Sequence, residues 1–329
     1  MLRIIPIAAL VIQPYVLWPW IAGSVIALIG LLVARVAILS GDGWDKFLAV
    51  GPLCFGAPLA AFGAEHLVLA TGMMNMVPHW IPWHLFWIYF VGCALILAAL
   101  SFATNMKVSL SGFLVGLMFC LFVVMLHIPR VMANPRDRFA WAVAFRDLSF
   151  AGGAWALAGS RDQQSLTHTN SKLAVLGRFM IAVPAIFFAV EHLLHPANLP
   201  GVPLEKLTPA WIPGRWLIGY LIGAVLLAAG VSLLLGKNMR LAATYLGVLI
   251  VIVVLLVYLP MVIAIPSAAD GGQKIEGLNY FFDTVLFGGA VLCLALAMPK
   301  RECLADSSSA SLRSPGDGLR SKPIQHQNA

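Results

Sequence analysis

The chain has 329 residues, 60% of them hydrophobic and only 11% charged, with a formal net charge of +7. A water-soluble domain carries about 25% charged residues, so the composition excludes a soluble enzyme and makes the lipid bilayer the expected partner. The basic residues are scattered through short loops and the tail, which points to membrane topology and anionic headgroups and not to nucleic acid.

The opening, "MLRIIPIAALVIQPYVLWPW", has the basic start and apolar run of a secretory signal. It lacks a small-residue cleavage site and continues into more apolar sequence, so it reads as an uncleaved anchor or a lead-in to the first span. Nine stretches are apolar over the ~20 residues that cross ~30 Å of hydrocarbon as a helix. They cover approximately 17–39, 47–71, 82–104, 109–132, 140–159, 173–195, 215–235, 240–265 and 279–298. Turn signals separate them: "SGDG" at 40–43, "NPRDR" at 134–138, "LPGVP" at 199–203 and "SAADGG" at 267–272. From Lys300 the chain turns to Ser, Pro, Gly and Arg, a composition that buries no apolar face and predicts a disordered cytoplasmic tail over 299–329. The five cysteines, Cys54, Cys93, Cys120, Cys293 and Cys303, form no C-x-x-C pair, and four lie in apolar segments where a thiol acts as a small hydrophobe.

The first span and linker (1–46) stand apart from an internal duplication. "VPHWIPWHLFWIYFVGCALILAALS" (77–101) matches "TPAWIPGRWLIGYLIGAVLLAAGVS" (208–232), with Trp80 on Trp211, Tyr89 on Tyr220, Gly92 on Gly223 and Ser101 on Ser232. Asn105-Met106 meets Asn238-Met239, Pro129 meets Pro260, and "FRDLSFAGGA" (145–154) meets "FFDTVLFGGA" (281–290). The units are 47–159 and 173–298, four spans each, and an even number of spans gives both the same orientation. The expected fold is therefore all-α, a polytopic transmembrane protein of about nine helices, with two parallel four-helix repeats and one N-terminal helix. The basic loops favour a cytoplasmic C-terminus and an N-terminus outside, in a bacterial cytoplasmic (inner) membrane.

"FGAEHLVLA" (62–70) and "FAVEHLLHP" (188–196) each place a Glu-His pair, Glu65-His66 and Glu191-His192, in an apolar run. Glu65, His66, His127, Asp147 and Trp80 are expected in the outward half of the first bundle. Glu191, His192, Tyr258, Asp283 and Trp211 are expected to repeat the arrangement in the second. Ionisable groups cost about 2.5–3.5 kcal/mol at the bilayer centre on insertion scales and so face protein or water. Glu65 has two solutions: a protonated carboxyl, or ionisation against His66, Arg146 or Arg130. In the second unit His195 lies four residues after Glu191 and three after His192, a trio that suits a metal ion or a proton relay. The bland alternative is that the pairs only fix helix packing. The tryptophans serve an interfacial belt or, as a lesser alternative, stack on a flat ligand such as a quinone.

The constellation consists of a leading helix with Glu-His near its end, "P-x-W-I-P" in a short connection, a helix just after it, and Gly-Gly in the last helix. It resembles the DoxX-like family of small four-helix membrane proteins. That family is usually a single unit, so a fused tandem with an extra leading helix departs from it and would replace a homodimer by a pseudo-dimer. The resemblance implies a redox-associated membrane subunit that works with a quinone and a redox enzyme partner. Glu65, His66, Asp147, Glu191, His192 and Asp283 would then be proton donors and acceptors, and Trp80, His127, Trp211 and Tyr258 would stand beside the cofactor. A transporter or binder of a small lipophilic solute and a non-catalytic scaffold are the alternatives. No nucleotide loop, zinc-protease motif, Ser-His-Asp order or disulfide-exchange pair specifies a reaction.

Overall fold

In hydrocarbon every backbone N–H and C=O must be satisfied within the protein, and a helix does this inside one segment. The computed structural model describes residues 13–161, 172–202, 205–264 and 271–299. Among them are nine long helices: α1 (Pro14–Ser40), α2 (Gly51–Val68), α3 (His84–Thr104), α4 (Val108–Phe122), α5 (Arg138–Ser160), α6 (Lys172–Leu194), α7 (Arg215–Leu235), α8 (Met239–Val253) and α9 (Gly271–Ala297). Eight helical segments are long and apolar enough to cross a membrane. The exception, α5, is equally long but carries Arg138, Arg146 and Asp147. The described residues contain no strand, only an isolated bridge between Asn198 and Leu207, so the expected all-α membrane fold holds. Residues 1–12, the tail from Lys300 with Cys303, and most of the "SAADGG" loop lie outside the described residues.

The packing order explains why α5 tolerates its charges. Helix α1 leans on α2 and α3 from outside, with 17% of its apolar window buried, whereas 83% of that of α9 is buried. Helices α5 and α9 cross each other at the centre. Helix α5 also packs on α4 and α6, and α9 on α8 and α2. The last helix of each quartet thus lies against the first helix of the other. The two quartets therefore interlock. Small residues allow it. A Cβ on Gly152 would come 2.8 Å from the Gly177 carbonyl of α6, and one on Gly153 would collide with Ala290 of α9.

Local features recur at one interval along the two halves. Trp83 and Gly214, Asn105 and Gly236, and Lys107 and Asn238 are all left-handed, and each pair is separated by the same number of residues. The chain reversals agree: Met106 N–H donates to Ser101 O (3.0 Å), and Lys237 N–H to Ser232 O (2.9 Å). This register sets Asn105 on Gly236, not on Asn238 as the sequence match suggested. The shared demand is a left-handed helix end, which either Gly or Asn meets. Pro82 and Pro213 precede the capping residues Trp83 and Gly214, and so stand just outside α3 and α7. Helices α4 and α8 both run into a π turn, Val123–His127 and Val254–Tyr258, with Pro129 and Pro260 just beyond. A proline lacks the N–H of the regular ladder and crowds the carbonyl four residues back, and a widened turn relieves both. The widened turn brings His127 within reach of α5.

Candidate functional site

The polar groups gather at one end of the bundle, where α2 and α6 finish and α3, α5 and α7 begin. At the opposite end Arg240 ties the bundle off. It donates to Asp45 Oδ1 at 2.6 Å and to the carbonyls of Ala295 and Met298 at 3.2 and 3.1 Å.

Consecutive residues on a helix diverge by about 100°, so Glu65 and His66 meet different neighbours. Glu65 is buried and its Oε1 accepts from Asn279 Nδ2 of α9 at 3.2 Å. His66 rests on α3, where a Cβ on Gly92 would touch its Cβ at 3.0 Å. Its Nδ1–H donates to Phe62 O at 2.8 Å, which leaves Nε2 of the neutral ring as an acceptor. His127 Nε2 donates to Asp147 Oδ2 at 2.8 Å. Arg146 Nε donates to Asp147 Oδ1 at 3.0 Å and Nη1 to Asp283 Oδ2 at 2.6 Å. Asp147 and Asp283, expected in separate clusters, therefore belong to one network, because the two central helices cross there.

These groups form the polar floor of a cavity of about 830 Å³, a size that suits a small organic ligand. Phe62, Phe90, Phe119, Phe122 and Phe150 line its walls with Met73, Met76, Met118 and Met125, joined by Trp80, Trp87 and aliphatic side chains. Trp80 is 73% exposed and sits at the rim. The floor thus holds three acids, Glu65, Asp147 and Asp283, and one buried guanidinium, Arg146, which pairs with the two aspartates. Asn279 adds to this: its Nδ2 serves Glu65, and its buried Oδ1 has no hydrogen-bond partner among the described residues. An unsatisfied buried acceptor costs about 1–3 kcal/mol, and a donor on a ligand would relieve it.

The second quartet is built differently. Glu65 and Trp80 are 15 residues apart, Glu191 and Trp211 are 20 apart, and the longer connection folds inward. Leu199 N–H donates to Lys206 O and Thr208 N–H to Ala197 O, and Leu199 and Val202 are fully buried. His192 Nδ1–H donates to Phe188 O at 2.7 Å and its Nε2 accepts from Gly201 N–H at 2.9 Å. Tyr258 O–H donates to Pro200 O at 2.8 Å. Glu191 accepts from Arg138 Nε and Nη2 at 2.9 and 2.5 Å.

Of the residues expected from the sequence, Glu65, His66, Trp80, His127, Asp147 and Asp283 line the cavity together. Glu191, His192, Trp211 and Tyr258 do not. His192 and Tyr258 are closed over by the chain itself, and Trp211 is 56% exposed. The structure does not assemble the trio suggested around His195. Its intended companions are occupied, Glu191 by Arg138 and His192 by Gly201, and no group of three His, Cys, Asp or Glu among the described residues could hold a metal ion. Arg138 and Asn279 escaped the sequence reading. Asn279 had a signal: it stands four residues before Asp283 in an apolar helix, hence on the same face.

Comparison with protein-family models, with curated proteins and with solved structures finds no match to this chain.

Proposed function

We propose that the protein is a DoxX-like, redox-associated membrane subunit, a tandem duplication of a four-helix unit, that binds a quinone in the cavity floored by Glu65, His66, Arg146 and Asn279. The observation that carries this is the pairing of a buried hydrogen-bonding floor with aromatic and methionine walls, a combination that suits a flat lipophilic ring with oxygen substituents. Glu65 and His66 supply proton acceptors beside the ring. When a bound quinol yields two electrons to a redox partner protein, its two protons pass to such groups, and reduction runs the same path backwards. The cavity end faces outward, with the C-terminus cytoplasmic, in a bacterial cytoplasmic membrane.

The test is titration of purified protein in detergent with a short-chain benzoquinone and its quinol. Quenching of the tryptophan fluorescence contributed by Trp80 and Trp87 is the readout, and mass spectrometry of co-extracted lipid is the second. Saturable binding is expected. Glu65→Gln should weaken it severalfold, and Glu191→Gln, which does not line the cavity, should leave it unchanged. Absence of saturable binding by either redox form overturns the proposal, as does equal loss in both variants.

A further inference from the structure

The second quartet contains a built-in occupant at the place that the first leaves open. His192 and His66 correspond in structure as well as in sequence: each donates Nδ1–H to the carbonyl four residues earlier and sets its Cβ against a glycine of the next helix, Gly223 or Gly92. Tyr258 and His127 each end the π turn. In the second quartet the Pro200–Gly201 peptide lies between them. Its N–H donates to His192 Nε2 and its carbonyl accepts from Tyr258 O–H. Gly201 also stands 3.6 Å, at the position of a Cβ, from Ile250, and Ile250 holds the place in α8 that Phe119 holds in α4. His66, His127 and Phe119 all line the first cavity.

We infer that this peptide is an internal stand-in for the ligand and reveals its hydrogen bond to the imidazole: the occupant of the first cavity donates to His66 Nε2, as Gly201 N–H does to His192 Nε2. This rests on the reading of the cavity as a quinone site, and it selects the redox form. An oxidised quinone ring offers only acceptors, whereas a quinol hydroxyl is both donor and acceptor. The unpartnered Oδ1 of Asn279 also seeks a donor. The resting ligand is therefore the quinol, and His66 determines that preference. Five extra residues in the second connection fill the place in the second quartet that corresponds to the cavity of the first.

The experiment uses the intact protein and three probes under anaerobic conditions: a short-chain benzoquinol, its dimethyl ether and the corresponding benzoquinone, each titrated by tryptophan quenching. One hydrogen bond in a buried site supports a preference of up to about tenfold. The quinol should bind about tenfold tighter than either other probe. His66→Phe should abolish that ranking, and His66→Gln, whose amide oxygen also accepts, should restore part of it. Equal affinity of wild-type protein for quinol and ether overturns this inference while the cavity survives as a quinone site. Failure of all three probes to bind overturns the quinone reading as well. The wild-type ranking needs no variant, so a misfolded His66→Phe does not rescue the inference.

Discussion

Asp147 on α5 and Asp283 on α9 share one cation, Arg146, at 3.0 and 2.6 Å. The last helices of the two quartets are joined at this point, in the interior of a bundle whose outer faces are apolar. Arg146 Cζ also lies 5.8 Å from the Phe150 ring centroid. A guanidinium with two carboxylates and an aromatic face is well satisfied, but each carboxylate depends on it.

Removing one partner of a buried charge group leaves the others uncompensated, at about 3–5 kcal/mol. Arg146→Met should therefore lower the detergent melting temperature more than any other single substitution in the floor. Replacing both acids at once, with Asp147→Asn and Asp283→Asn in the Arg146→Met background, should recover most of the loss. A triple variant no more stable than the single one would show that Arg146 acts through packing and not through charge.

Close helix approach at the centre yields a second prediction. A leucine side chain at Gly153 would be forced into Ala290, and overpacking a tight interface costs about 1–3 kcal/mol. Gly153→Leu should destabilise by that amount in a thermal scan. Gly72→Ala is the control, because a Cβ there meets nothing within 4 Å, and its effect should stay within about 0.5 kcal/mol.

Much of this was legible in the sequence because the bilayer restricts what apolar segments can do. Span lengths follow from hydrocarbon thickness, and the Glu-His pairs stood out against apolar neighbours. What escaped reading depends on contacts between segments far apart in the chain. Asp283 matched Asp147 by alignment, and alignment placed it in a separate cluster; only the crossing of α5 and α9 brings it to Arg146. Glu191 likewise found Arg138 on α5, a residue of the other quartet. The longer second connection was visible as "LPGVP", but its inward course depends on buried Leu199 and Val202 and on the hydrogen bonds to His192 and Tyr258.

That connection gives a third prediction. Gly201 has φ +107° and a Cβ there would lie 3.1 Å from Thr284 Cγ2. A side chain meets both backbone strain and crowding, so Gly201→Ala should cost about 1–3 kcal/mol. If the loop then leaves its seat, His192 loses its donor and the second site opens. The measurement is the melting temperature together with the number of quinol sites per chain. An unchanged melting temperature would mean that the loop tolerates another backbone path.

The orientation offers the last prediction. Met132 and Met106 lie towards opposite ends of the bundle, Met132 near the cavity and Met106 in the reversal between α3 and α4, and both are exposed. The proposed orientation puts the cavity end outside, on the expectation that basic loops stay on the cytoplasmic side. A thiol introduced as Met132→Cys should react with a membrane-impermeant maleimide added to intact cells, and Met106→Cys only after the membrane is opened. Native Cys93 is also exposed on the bundle surface, so both variants are compared with the parent chain and with a Cys93→Ala background. If Met106→Cys labels from outside and Met132→Cys does not, the topology is inverted. On the proposed quinone reading, Glu65 and His66 would then exchange protons with the cytoplasmic side, and quinol oxidation would release its two protons into the cytoplasm instead of outward.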